Sequence, residues 1–192
     1  MQISRIDLSD IHAPKRMAQA IHDQLQLGSG PVQVLEIAKA LDIDEVRLVP
    51  LDGVEGMLLA GKARTQGAIL ANVSRRMRRA RFTVAHELGH FLLERHQLSV
   101  QSGFRCAAAD MRETREGKQH ILQETQANQF AIGLLAPARL TSLVLSGDVD
   151  LQDAQILRDE LDISLKACVR RMVEVRSEPL AAVWSRHGRV RC

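Results

Sequence analysis

Residues 81–96 read RFTVAHELGHFLLERH. Without three of these residues, His86, Glu87 and His90, the run is an ordinary apolar helix whose Phe82, Val84, Leu88, Phe91 and Leu92 bury it in a core. His86 and His90 stand at i and i+4, so both imidazoles leave one helix face a turn apart. That separation lets two ring nitrogens reach a single ion at zinc–nitrogen distances. Glu87 lies one step round the helix, off that face, where it can hold a water and take its proton. Gly89 keeps the helix surface low, which suits the approach of a substrate or strand. The pattern H-E-x-x-H arises by accident in a chain of this composition about once in a hundred, so a metal site is the expectation.

A catalytic zinc site takes a third protein ligand and leaves a fourth position open. His96 is excluded if the helix runs on to Arg95, because it would then lie about 9 Å along the axis beyond His90. Leu93 stands where a glycine would be needed to turn the chain out earlier. On this reading His96 is a surface histidine at a helix C-terminus. Glu124 is the better third ligand. In ETQANQFAIGLLAP (124–137), Glu124 and Asn128 share a face of a second helix. Ala127, Phe130, Ala131, Leu134 and Leu135 form its buried stripe. Asn128 is placed to accept the Nδ1–H of a ligating histidine and fix its tautomer. Cys106, with Asp110 four residues on, offers a different ligand: a thiolate that could close the fourth position and silence the site.

The rest of the chain reads as an α+β fold. Helical periodicity runs over 10–27 up to Gly28-Ser29-Gly30, then over 31–41 behind Pro31. Three short apolar runs, 46–51, 54–61 and 67–73, read as a small three-stranded sheet. Helical spacing resumes from Ser74 to about Arg95. Residues 99–119 read as a long irregular connection, and a helix over 120–136 ends at Pro137. Two capped helices follow, behind Asp150 and Ser164, and His187-Gly188 turns a terminal hairpin. The division expected is 1–137 for the unit bearing the motif and 138–192 for a helical, helix-turn-helix-like part with the hairpin.

Composition narrows the function. The 192 residues include four Phe, one Trp and no Tyr, so the core is aliphatic. Three scattered cysteines without a C-x-x-C favour a reducing compartment. The start is no secretory signal and no apolar run is long enough for a bilayer, so a cytoplasmic protein without a membrane partner is expected. The net charge of +3 is local: removing the five arginines of RRMRRAR (75–81) turns it to −2. That patch reads as a solvated helix entrance, or as a nucleic-acid footprint.

The two motifs together, RFTVAHELGHFLL (81–93) and ETQANQFAIGLLAP (124–137), resemble the ImmA/IrrE-type metallopeptidases, a gluzincin-like bacterial and phage group. Weaker echoes lie in PVQVLEIAKALDI (31–43), GMLL (56–59), ILANV (69–73) and FRCAAADM (104–111). The resemblance implies a zincin-like core with His86, His90 and Glu124 as metal ligands and Glu87 as general base and acid. It also implies zinc as cofactor, with manganese as the other candidate. The partner it implies is a protein substrate, a helix-turn-helix transcriptional repressor in a stress or mobile-element response. Many relatives carry a second acid where Gln126 stands, a departure expected to leave the metal unaffected. Gluzincins usually use a Tyr or His beside the metal to hold the developing oxyanion; without a Tyr, that role falls to His120, Arg81 or another Arg. The competing reading is a DNA- or repressor-binding regulator with a structural metal, drawn from the arginine patch and from Lys166, Arg170 and Arg171 on a possible recognition helix.

Overall fold

The structure, a computed structural model, describes residues 2–74, 76–96, 104–107 by their backbone, and 118–191. The order is α1 (Pro14–Leu25), α2 (Val34–Ala40), β1 (Ile43–Val49), β2 (Val54–Ala60), β3 (Gly67–Asn72), α3 (Met77–Leu92), β4 (Phe104–Ala107) and α4 (Lys118–Leu135). Then come α5 (Ala138–Val144), α6 (Leu151–Leu161), α7 (Leu165–Val175), β5 (Trp184–Arg186) and β6 (Arg189–Arg191). The architecture is α+β, and the three expected strands are present. A fourth joins them from the stretch expected to be irregular: β4 pairs antiparallel with β2, giving the order β1-β3-β2-β4. Among the described residues no helix is long and apolar enough to cross a membrane.

The motif-bearing helix is central. The sheet, through β2 and β3, packs on one side of α3, and α4 packs on another with α1 behind it. Every residue of α3 from Ala80 to Leu92 is therefore buried except Phe82, which is half-buried. Leu58 and Ile69 from the sheet, Leu88 and Phe91 from α3, and Phe130 and Leu134 from α4 share one core. Gly89 serves the helix contact rather than a ligand: a Cβ there would come within 2.9 Å of Phe130 Cδ1. The expectation that it opens the surface to substrate is corrected accordingly. Its missing side chain lets α3 and α4 approach closely.

Helix α3 also stops earlier than its periodicity suggests. The last helical residue is Leu92, and no glycine caps it. Arg64, in the loop between β2 and β3, does that work. Its Nη1 donates to the carbonyls of His90 (2.9 Å), Phe91 (3.2 Å) and Leu93 (2.8 Å), and its Nη2 to that of His96. The unsatisfied carbonyls of a helix end are thus capped by one buried cation, whose charge also suits the negative pole of the helix dipole.

Of the arginines in 75–81, Arg78, Arg79 and Arg81 are held in ion pairs and Arg76 is exposed, while Arg75 lies outside the described residues. Arg78 bonds Asp162 (2.8 Å) and Asp159 (3.3 Å), while Arg81 pairs with Asp162 (3.3 Å) and donates to the Val32 carbonyl (3.0 Å). Arg79 bonds Glu55 (3.2 Å). These ion pairs tie the end of α6 and the sheet to α3. Asp150 and Ser164 cap α6 and α7 as expected, accepting from the backbone N–H of Gln152 and Ala167. Helix α7 turns Arg171 inward, donating to the Ala136 carbonyl at 2.7 Å, and Lys166 lies 5.5 Å from the Trp184 ring centre.

Replacing Arg64 by Met should lower stability by about 3 kcal/mol, since several buried carbonyls lose a charged donor at once. Urea unfolding measures it; a loss below about 1 kcal/mol would mean that water replaces the guanidinium.

Candidate metal centre

Because α3 is buried on several sides, His86, Glu87 and His90 are taken out of water with it. His86 Nε2 and His90 Nε2 lie 3.1 Å apart. Glu124 comes from α4 and places Oε2 3.2 Å from His86 Nε2 and Oε1 3.2 Å from His90 Nε2. These three residues form the group able to hold an ion among the described residues. Neighbouring donors in a tetrahedral zinc site are about 3.3 Å apart at zinc–ligand distances of about 2.0–2.1 Å, so the spacing and the donor chemistry fit. The remaining ring nitrogen of His86 is held as expected, with Nδ1 3.1 Å from Asn128 Oδ1.

His96 is where sequence reasoning fails. It is buried, not on the surface, and its Nδ1 lies 2.9 Å from His90 Nδ1. Its Nε2 faces Gln126 Oε1 at 3.0 Å. The physical reason is the early end of α3: the turn clamped by Arg64 swings His96 back beside His90. It touches the far nitrogen of that ring, so it stays outside the converging trio. Gln126, expected to be irrelevant to the metal, ends a chain of contacts that begins at a ring of the trio.

Glu87 stands apart from the three converging residues. It is fully buried against β2, where a Cβ on Gly56 would come within 2.7 Å of Glu87 Oε1 and 2.3 Å of Thr83 Cγ2. Gly56, the first residue of GMLL (56–59), is therefore a site residue to which sequence reasoning gave no role; it leaves room for the carboxylate. Its strand is paired on both sides, by β3 and by β4, with Gly56 opposite Cys106. An extended peptide thus cannot add to β2. The described edge strands are β1 and β4. The Cys106 side chain and Asp110 lie outside the described residues. Of the oxyanion candidates, Arg81 is taken up by Asp162 and Val32, whereas His120 sits one turn before Glu124 on α4.

A family model described as the IrrE N-terminal-like domain, a peptidase family, matches residues 46–172, most of the chain. The chain belongs to that family. The match takes in both motif helices and the sheet between α2 and α3. It makes this IrrE-like protein a member of a metallopeptidase family with a His-His-Glu group that could hold a metal ion. No curated protein matches the chain significantly.

Without an ion, the IrrE-like site is strongly biased electrostatically. Burial pulls the His90 imidazole down to about 3 and that of His96 to about 4, against an ordinary 6.5. Burial opposes charge on His86, but its hydrogen bond to Glu124 and the charges of Glu87 and Glu124 outweigh that and raise its pKa. Glu124 resists burial, chiefly through the hydrogen bond it accepts from His86, and is held well below the usual carboxylate range. His90 and His96 thus stay neutral when folded but take up protons when unfolded below 6.5. Their effect is a stability lost as pH falls from 6.5 toward 4. The raised His86 contributes in the opposite sense, fully present below 6.5, so it cannot reverse that slope. Chelator-treated protein should therefore show a urea midpoint that falls steadily between pH 7 and pH 4.5. A midpoint that is flat or rises on acidification would contradict the neutral assignment of His90 and His96.

Proposed function

We propose that this protein is a zinc-dependent endopeptidase that cleaves a specific protein partner, a helix-turn-helix transcriptional repressor acting in a stress or mobile-element response. The observation behind the reading is the trio of residues whose imidazole nitrogens and carboxylate oxygens meet at 3.1–3.2 Å, on helices of a chain in a peptidase family. His86, His90 and Glu124 are the ligands, in a zincin-like arrangement of the gluzincin kind, and manganese is the alternative ion. When bound, the ion supplies Lewis acidity at a substrate carbonyl and lowers the pKa of water toward neutrality.

The chain's own residues do the rest. Glu87 accepts the proton of the attacking water and hands it to the leaving amine, so that the amine departs neutral. Burial against Gly56 keeps that carboxylate from swinging into the ligand set. His120, on the face of α4 that bears Glu124, is the group we assign to hold the developing oxyanion. Residues 1–137 form the catalytic unit in this reading, 138–192 an appended helical part, and the protein works in the cytoplasm.

Glu87→Gln keeps the shape and removes the base. It should retain one equivalent of zinc while cleavage of a helix-turn-helix repressor partner falls by about a hundredfold or more. Chelation should abolish wild-type cleavage, and Zn²⁺ or Mn²⁺ added back identifies the working ion. If Glu87→Gln cleaves as fast as wild type, the peptidase mechanism is wrong. If neither protein cleaves while both bind the repressor or its operator, the non-proteolytic reading takes its place.

A further inference from the structure

We propose that His96 and Gln126 are positioning residues that fix the ring proton of His90 on Nδ1 and so keep its Nε2 lone pair aimed into the metal site. The inference rests on the metal reading of His86, His90 and Glu124.

The geometry leaves little freedom. Two imidazole nitrogens 2.9 Å apart, His90 Nδ1 and His96 Nδ1, can share one proton and no more. The other end of the His96 ring decides who owns it. Gln126 presents Oε1 to His96 Nε2 at 3.0 Å, and an amide oxygen only accepts, so Nε2 carries the hydrogen. A neutral imidazole has one N–H, which leaves His96 Nδ1 bare, and the shared proton belongs to His90 Nδ1. His90 Nε2 is then the nitrogen without hydrogen, facing His86 Nε2 and Glu124 Oε1. Asn128 Oδ1 does for His86 in one step what His96 and Gln126 do for His90 in two. Both rings are buried, away from the water that would stabilise a charged form.

Direction is the specific content of the proposal. With the Gln126 amide reversed, its N–H₂ would donate to His96, every proton would shift by one nitrogen, and His90 would present an N–H to the ion. A residue at 126 that can only accept locks the productive direction; one that does neither releases it. Arg64 belongs to the same device upstream, because its grip on the His96 carbonyl sets the turn that brings the ring to His90.

Four proteins test it: wild type, His96→Phe, Gln126→Leu and Gln126→Glu. Zinc affinity is measured against a chromophoric chelator at fixed pH. The tautomer of His90 is read in the metal-free proteins by long-range ¹H–¹⁵N correlation. Wild type should bind one zinc and show Nδ1–H on His90. His96→Phe should weaken zinc by about 10–100-fold, with His90 moving to the Nε2–H form or a mixture. Gln126→Leu should weaken zinc by a smaller factor, and Gln126→Glu should bind at least as tightly as wild type. Equal affinity in all four, or an Nε2–H tautomer in wild-type His90, overturns the relay. Should His96→Phe fail to fold, the Gln126 pair still decides, since it alters hydrogen-bond capacity and charge with little change of volume at a half-buried position. Should wild type bind no zinc, the metal reading falls, while the tautomers still judge the relay on its own.

Discussion

Two imidazole nitrogens and the two oxygens of one carboxylate meet at contacts of 3.1–3.2 Å inside a helix packing core. Such a meeting is unfavourable unless something positive sits among them, because burial strips their water and their lone pairs repel. Glu124 and Glu87 raise the affinity of His86 for a proton, which goes part of the way to filling that role. A divalent ion fills it better, since it satisfies all three residues at once. Most of the architecture around α3 can be traced to holding this unfavourable convergence in place.

The scaffold does so by restricting both helices. Gly89 lets Phe130 of α4 seat against α3, which sets the spacing from which Glu124 reaches two imidazoles. Arg64 closes the end of α3 and sends the chain back over His90. At the other end, Arg78 and Arg81 anchor to Asp159 and Asp162 on the last turn of α6 and the residue after it. Three cations of a local cluster, Arg78, Arg79 and Arg81, are thus drawn into tertiary ion pairs. The sheet supplies a wall, and Gly56 makes that wall shallow enough for Glu87.

What could be read from the residues alone was whatever depends on local spacing. The i, i+4 histidines, the apolar stripe of α4, the caps Asp150 and Ser164, and the Glu124–Asn128 pairing are all periodic or adjacent features, and the structure has them. The rest depends on partners remote in the chain. Nothing near Leu93 announces that Arg64 will end the helix, so His96 looked distant from His90. The strand at 104–107 exists by pairing with β2, and its short, mixed sequence has little strand character of its own. Helix α1 likewise ends at Gln26, which adopts a left-handed conformation (φ 48°) before the glycines that looked like the stop. Gly56 carried a signal, a glycine inside an apolar strand, which usually marks a close backbone approach.

X-ray absorption at the zinc edge of the loaded protein reads the donors without reference to activity. Convergence of His86, His90 and Glu124 predicts a first shell of two imidazole nitrogens and light oxygen donors at about 2.0–2.2 Å, and loss of one imidazole in His90→Ala. A spectrum with sulfur in the first shell, or one unchanged by that substitution, would place the ion elsewhere and remove the basis for a metallopeptidase site on α3.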